Sequence, residues 1–162
     1  MGRRLHDHER CCLELPRVER PRHGLPVELD GRDYRGDLDI RVDADGVWHY
    51  NQSPLTRKTM VCLFASMLAK DRQGGYWLVT PTELGRIAVD DAPLLGVEAF
   101  VRGSGRAQRI TIVTNVDEGV DVSRESQLVI KASPVKGAMP PYVQMVSGIE
   151  VRLIRAADLA LV

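Results

Sequence analysis

The chain has no surplus of either charge: 22 Lys and Arg offset 22 Asp and Glu. Sequence-independent nucleic-acid binding needs excess Lys and Arg to displace counterions, so composition argues against that class of function. Aromatic residues are scarce too, and two Trp with two Phe supply few platforms for stacking bases. There are only three cysteines. Cys11 and Cys12 are adjacent, a spacing that closes no useful loop, and Cys62 falls within a predicted helix. That pattern indicates no disulfide framework and favours a cytoplasmic protein. No segment approaches the roughly 18 consecutive apolar residues of a membrane span. The N-terminal MGRRLHDHERCC has charge without the apolar centre of a secretory signal. His6 also stands where a myristoylation signal has Ser or Thr. The expectation is a soluble protein with neither membrane nor nucleic acid as partner.

What the chain does have is enough apolar residues, 44% of 162, for one ordinary domain or two small halves sharing a core. Residues 1–33 contain Pro16, Pro21 and Pro26 among mixed charges, show no sustained period, and read as a partly ordered arm. Regular structure is expected from Gly36. Leu38, Ile40 and Val42 alternate with Asp37, Asp39, Arg41 and Asp43, the period of a half-buried strand. Asp45-Gly46 is a hairpin signal, and Val47 to Tyr50 reads as the returning strand. A helix follows over 57–70, with Thr56 as N-cap. Met60, Leu63, Phe64, Met67 and Leu68 form its buried stripe, with Cys62, Ser66 and Lys70 off it. Asp71 to Gly75 ends the helix, and Tyr76 to Thr80 is a strand closed by Pro81.

The remainder reads as strands. Leu95, Val97, Ala99 and Val101 share one face, and Gly103-Ser104-Gly105 turns the chain toward Ile110, Ile112 and Thr114. After a second turn over 115–119 come short strands over 128–132, 142–146 and 149–154. One helix among many short strands is an α+β class, and without βαβ alternation a doubly wound sheet is not expected.

The motifs now have a recognisable order. They run Gly36-Asp37-Leu38-Asp39-Ile40, Asp45-Gly46-Val47-Trp48, Pro54-Leu55-Thr56-Arg57-Lys58 and Leu63-Phe64-Ala65-Ser66. They continue with Leu78-Val79-Thr80-Pro81-Thr82-Glu83, Asp90-Asp91-Ala92-Pro93, Thr114-Asn115-Val116, Pro141-Tyr142-Val143 and Gly148-Ile149-Glu150-Val151-Arg152. In order and spacing the series resembles the bacterial family catalogued as domain of unknown function 1285. It departs from the family at Asp33-Tyr34-Arg35, where an aromatic lead-in is usual, and at Leu94, where Phe is usual. The resemblance implies two similar β-rich halves of curved antiparallel sheet, with a helix inserted in the first. The halves are expected over 34–92 and 93–162. It implies no reaction and, loosely, a signalling or regulatory role.

Several residue sets invite a chemical reading. Asp37, Asp39, Asp43 and Asp45 are acidic, but alternate strand residues stand about 7 Å apart, too far to share one cation, and they read as a solvated strand face. His6, His8, Cys11 and Cys12 follow no standard zinc spacing. Arg57 and Lys58 at the helix start make an anion-friendly corner, although Asn51-Gln52-Ser53-Pro54 lacks the glycines of a phosphate loop. Gly103-Ser104-Gly105-Arg106 lies between strands, where a dinucleotide fingerprint has no helix to serve, and reads as a hairpin turn. Cys62 reads as a buried, inert thiol and His49 as a packing or surface residue. Glu83, Asp90 and Asp91, with Thr80, Asn115 and Tyr142 at strand ends, are candidates to converge in a cleft between the halves, against the preferred reading of structural turns and inter-half hydrogen bonds.

No metal, cofactor or catalytic residue is expected. The leading reading is a non-catalytic binding or regulatory module that recognises a protein partner or a small anionic ligand, with a homodimer admissible. Its low-specificity ligand set is Arg57, Lys58, Thr80, Glu83, Asp90, Asp91, Asn115 and Tyr142. The alternative is a hydrolase using Glu83, Asp90 or Asp91 as acid or base in an inter-half cleft.

Overall fold

Alternation around Leu38, Ile40 and Val42 does produce a strand, β1 (Asp33–Val42). It begins before Gly36 because a partner distant in sequence holds its start: Asp33 lies opposite Glu83 in a parallel pairing. The computed structural model describes residues 32–134, 137 and 139–155. The arm up to residue 31, with His6, His8, Cys11 and Cys12, lies outside the described residues, as does Ala156 to Val162.

The Asp45-Gly46 hairpin forms as expected, pairing β1 with β2 (Trp48–Tyr50) from Val42↔Trp48 to Ile40↔Tyr50. Asp43 organises the turn, its Oδ1 accepting the N–H groups of Asp45 at 2.9 Å and Val47 at 3.0 Å. A two-residue strand, β3 (Ser53–Pro54), adds to β2.

The helix is shorter than its apolar period. It runs only over Lys58–Ser66 (α1), with Arg57 rather than Thr56 at the N-cap position and no side-chain cap. Leu68, Ala69 and Lys70 leave the helix and become β4 (Leu68–Lys70), paired with β5 (Tyr76–Val79). Strand pairing across the Asp71–Gly75 turn thus overrides a pattern that continues as helix in sequence. The buried face also differs. Cys62 and Ala65 are buried, whereas Leu63 is 38% exposed. Two small side chains let the helix approach the sheet closely, and Phe64 stacks on Trp48 with ring centroids 6.4 Å apart. Cys62 is disulfide-bonded, not a free thiol, so cysteine spacing no longer argues for a reducing compartment.

After β5 comes β6 (Glu83–Val89), then β7 (Leu94–Arg102), β8 (Arg109–Thr114), β9 (Gly119–Asp121), β10 (Gln127–Ile130), β11 (Pro141–Gln144) and β12 (Glu150–Leu153). They form two six-stranded sheets, ordered β3-β2-β1-β6-β5-β4 and β10-β11-β12-β7-β8-β9. Each sheet is two three-stranded meanders joined at the centre by a parallel pair, β1 with β6 and β12 with β7. In both halves the first strand lies beside the last, so the second sheet repeats the topology of the first. The fold is α+β, and the sheets are mixed at their centres, not wholly antiparallel.

One apolar cluster spans both sheets, with Val42, Trp48 and Leu68 from the first and Leu94, Ile112, Val143 and Val151 from the second. The halves therefore share a core, as a chain of this size needs in order to bury enough apolar surface. No helix among the described residues is long and apolar enough to cross a membrane.

Candidate functional site

The short connection between sheets, Asp90-Asp91-Ala92-Pro93, separates two adjacent carboxylates. Asp90 turns back to the first half, where Arg41 grips it with Nε 3.1 Å from Oδ1 and a second nitrogen on Oδ2. Asp91 turns into the second half and is 8% exposed. Tyr142 donates its hydroxyl proton to Asp91 Oδ1 at 2.7 Å, and Ser133 donates to Oδ2 at 3.1 Å. Arg152 Nε lies 3.2 Å from Oδ2 as an ion pair, and the same guanidinium donates to the Ala44 carbonyl at 3.0 Å. A carboxylate with this many partners is a pin between halves, because its desolvation is offset on every side. Burial first, then the Asp91 carboxylate, pushes the Tyr142 phenol up to about 12.

Beside this pin runs a charged seam. Lys131 Nζ is 2.5 Å from Glu150 Oε1 and sits over the Tyr142 ring. Lys70 Nζ is 3.8 Å from Glu150 Oε2. Tyr76, buried beside Glu150, has its phenol raised well above the ordinary value, by burial first and then by that carboxylate.

The seam opens into a cleft of about 340 Å³ lined by Lys70, Asp71, Glu125, Gln127, Gln144 and the Met145–Gly148 turn. Both Asp71 oxygens are engaged, Oδ1 by the Gly75 N–H at 2.7 Å and Oδ2 by Trp77 Nε1 at 2.8 Å. Ser147 differs: its Oγ is buried and has no hydrogen-bond partner. A buried hydroxyl without a partner costs free energy that a bound acceptor or donor would recover.

The eight residues singled out from sequence are scattered. Asp91 and Tyr142 meet in the pin. Lys58 pairs with Asp117 at 2.8 Å, and Arg57 occupies the helix N-cap position. Thr80 and Glu83 close a turn together, with the Glu83 N–H donating to Thr80 Oγ1 at 2.9 Å, while the Glu83 carboxylate takes Arg35. Asn115 clamps Leu95, accepting its N–H on Oδ1 at 3.0 Å and donating its own N–H to the Leu95 carbonyl at 2.8 Å. None of the eight lines the cleft. The residues that do line it, Gln144 and Ser147 above all, form no chemical motif. Gly148 after an apolar-polar strand marks a turn in sequence, but only the fold brings that turn against Lys70.

Two family models together match residues 25–162. That of the DUF1285 N-terminal domain matches residues 25–92 and that of the DUF1285 C-terminal domain matches 93–162, both described as of unknown function. The chain belongs to the DUF1285 family. Its fold agrees with the crystal structure of a DUF1285 family protein from Silicibacter pomeroyi DSS-3. The two are 34% identical with a TM-score of 0.76, over 86% of this chain and 75% of that one. A DUF1285 family protein from Shewanella baltica OS155 is also similar, at 25% identity and TM-score 0.58, over 76% of this chain and 90% of that one. No curated protein matches.

Proposed function

We propose that this DUF1285 protein is a non-catalytic binding module whose inter-half cleft takes a small polar molecule. The observation that carries this reading is the unpartnered Ser147 Oγ on the wall of the 340 Å³ cleft. Pockets of this size with a few convergent polar groups are the usual place for a small ligand. Charge narrows the ligand. Lys70 is already beside Glu150, and Asp71 and Glu125 add negative charge to the lining. A neutral or zwitterionic molecule with hydroxyl or amide groups fits better than the small anion expected from Arg57 and Lys58 at the helix start. The hydrolytic alternative has less support, because Glu83, Asp90 and Asp91 are each engaged by an arginine and do not face one space.

The test is a thermal-shift panel of polyols, amides and amino acids, with anionic metabolites and divalent cations as comparison. A ligand that binds only the native state adds about 2.7 kcal/mol at a hundred times its dissociation constant. Ser147→Ala removes the unsatisfied hydroxyl, so the free protein should keep or slightly gain stability while its response to the ligand shrinks. A response confined to anions, or one unaltered in a Ser147→Ala/Gln144→Ala variant, would refute the reading.

A further inference from the structure

The β7–β8 hairpin does more than the repeated topology requires. In the first half, β1 ends at Val42 beside the core, and the chain turns back at once to Trp48. In the second half, β7 is paired with β12 only from Leu94 to Gly96, yet it continues to Arg102. β8 is likewise paired with β9 only from Thr111 to Val113. Apart from the Val122 N–H donated to the Ile110 carbonyl at 2.9 Å, no strand among the described residues pairs with the hairpin's outer edges beyond those points, and residues 100–109 are exposed without a break. Ala99 and Ile110 at its base still pack against the shared core, but the exposed part, residues 100–109, does not belong to it.

Its tip is nonetheless built. Gly103 has φ +75°, and a Cβ there would lie 2.7 Å from the Ala107 carbonyl oxygen. A short 3-10 turn, Gly105–Ala107, follows, with the Ala107 N–H donating to the Ser104 carbonyl at 3.2 Å. This ordered tip carries Arg102, Arg106 and Arg109 and no acidic residue between 100 and 109. Arg102 and Arg109 are directly opposite one another across the ladder. Like charges in that position destabilise a hairpin, and no carboxylate among the described residues pairs with any of the three. Just behind the arginines, Phe100 and Val101 are 40% and 41% exposed.

We propose that this hairpin is a docking finger for an acidic protein surface. Phe100 shares its face of the ladder with the facing pair Arg102 and Arg109, so the partner would seat an apolar group on Phe100 and ring it with carboxylates that meet these two arginines and Arg106 at the tip. Arginine beside an exposed aromatic is the composition of interface anchors, and guanidinium forks bind carboxylates bidentately. A lipid surface is a poorer match, because the apolar side chains stand behind the charges and the tip itself, Gly103 to Gln108, has no apolar side chain larger than that of Ala107 to insert. Nucleic acid is a poorer match because three phosphate contacts on a chain of zero net charge give little counterion release. The finger is a surface separate from the cleft, and the inference stands independently of the ligand assigned there.

The test uses the full chain and three fluorescent probes. They are a peptide alternating Glu and Asp with Leu and Phe, vesicles of phosphatidylcholine and phosphatidylglycerol in equal parts, and a mixed-sequence DNA duplex. The peptide should bind in a salt-dependent way and outcompete the other two. Arg102→Glu/Arg106→Glu/Arg109→Glu should weaken it by more than about tenfold, and Phe100→Ser should weaken it comparably with all charges kept, whereas Val101→Ser on the opposite face should leave it nearly unchanged. Arg109→Glu alone should lose affinity while its melting temperature holds or rises, since it places opposite charges across the ladder. Absence of peptide binding, an affinity unaffected by charge reversal, or tighter binding of vesicles or duplex would each overturn the proposal.

Discussion

Gly46→Ala tests how tightly the two halves are fitted. Gly46 is buried at φ +81°, and a Cβ there would lie 2.7 Å from Leu95 Cγ and 2.8 Å from its Cδ1. Two costs follow. The left-handed backbone costs a residue with a Cβ about 1–2 kcal/mol. Forcing Leu95 aside is overpacking, worth about 1–3 kcal/mol. Leu95 yields poorly because Asn115 holds its backbone at both the N–H and the carbonyl. The sum is about 2–5 kcal/mol, a large part of the stability of a domain this size. Urea unfolding of Gly46→Ala, Leu95→Ala and the double variant separates the terms. Removing the Leu95 methyl groups opens the space, so the double variant should be more stable than additivity predicts by about 1–3 kcal/mol. A loss below about 0.5 kcal/mol in Gly46→Ala, or a cycle with no coupling, would refute the fitted-halves argument.

Other substitutions divide core from surface. Leu63→Ala, at 38% exposure, should cost clearly less than Leu68→Ala, at 1% exposure, which should cost about 2–5 kcal/mol by chemical denaturation. Asp91→Ala leaves Arg152 buried without its counter-charge and should cost about 3–5 kcal/mol; Tyr142→Phe removes one donor of several and should cost about 1–3 kcal/mol. Partial burial works against the charge of Asp43, but hydrogen bonds from His49, Val47 and Asp45 outweigh it and hold the carboxyl below its ordinary value. The stability it adds is therefore full above its unfolded value, near pH 4, and lost as pH falls through the lower folded value. The gap between wild type and Asp43→Asn should be constant at neutral pH and close in acid, and a gap that instead closes toward alkaline pH would contradict the assignment.

Local patterns revealed the elements whose signals are local. The β1–β2 hairpin follows from alternation and Asp45-Gly46, and β7 and β8 from two alternating runs around a glycine turn. β4 was hidden because Leu68 continues the helical period, and only pairing with Leu78 decides otherwise. β6 was missed altogether. Gly85 interrupts its alternation and reads as a breaker, yet it is there because Leu38 of the neighbouring strand packs over it, within 2.5 Å of where a Cβ would stand. Parallel pairing leaves no short-range trace at all. The cleft was illegible for a related reason: Ser147 and Gln144 are ordinary turn and strand residues, and their meaning comes from burial against a segment distant in sequence. Asp91 and Tyr142 stood out as family-like motif residues, and the structure gives them a shared role as a pin.

The central parallel pairs also set a timetable. β1 lies in the middle of its sheet, but Asp33 meets Glu83 and Val42 meets Val89, so its inner neighbour is some fifty residues downstream. At translation rates of about 5–20 residues per second, the first strand waits about 3–10 s on the ribosome with one hydrogen-bonding edge vacant. The second half repeats the delay, with Leu94 waiting for Val151. Closing such distant contacts is slow in a free chain as well. During that interval the half-built sheet is open to strands from other chains, so production of this protein should be more sensitive to chaperone supply and to slow codons after residue 42 than its final stability suggests.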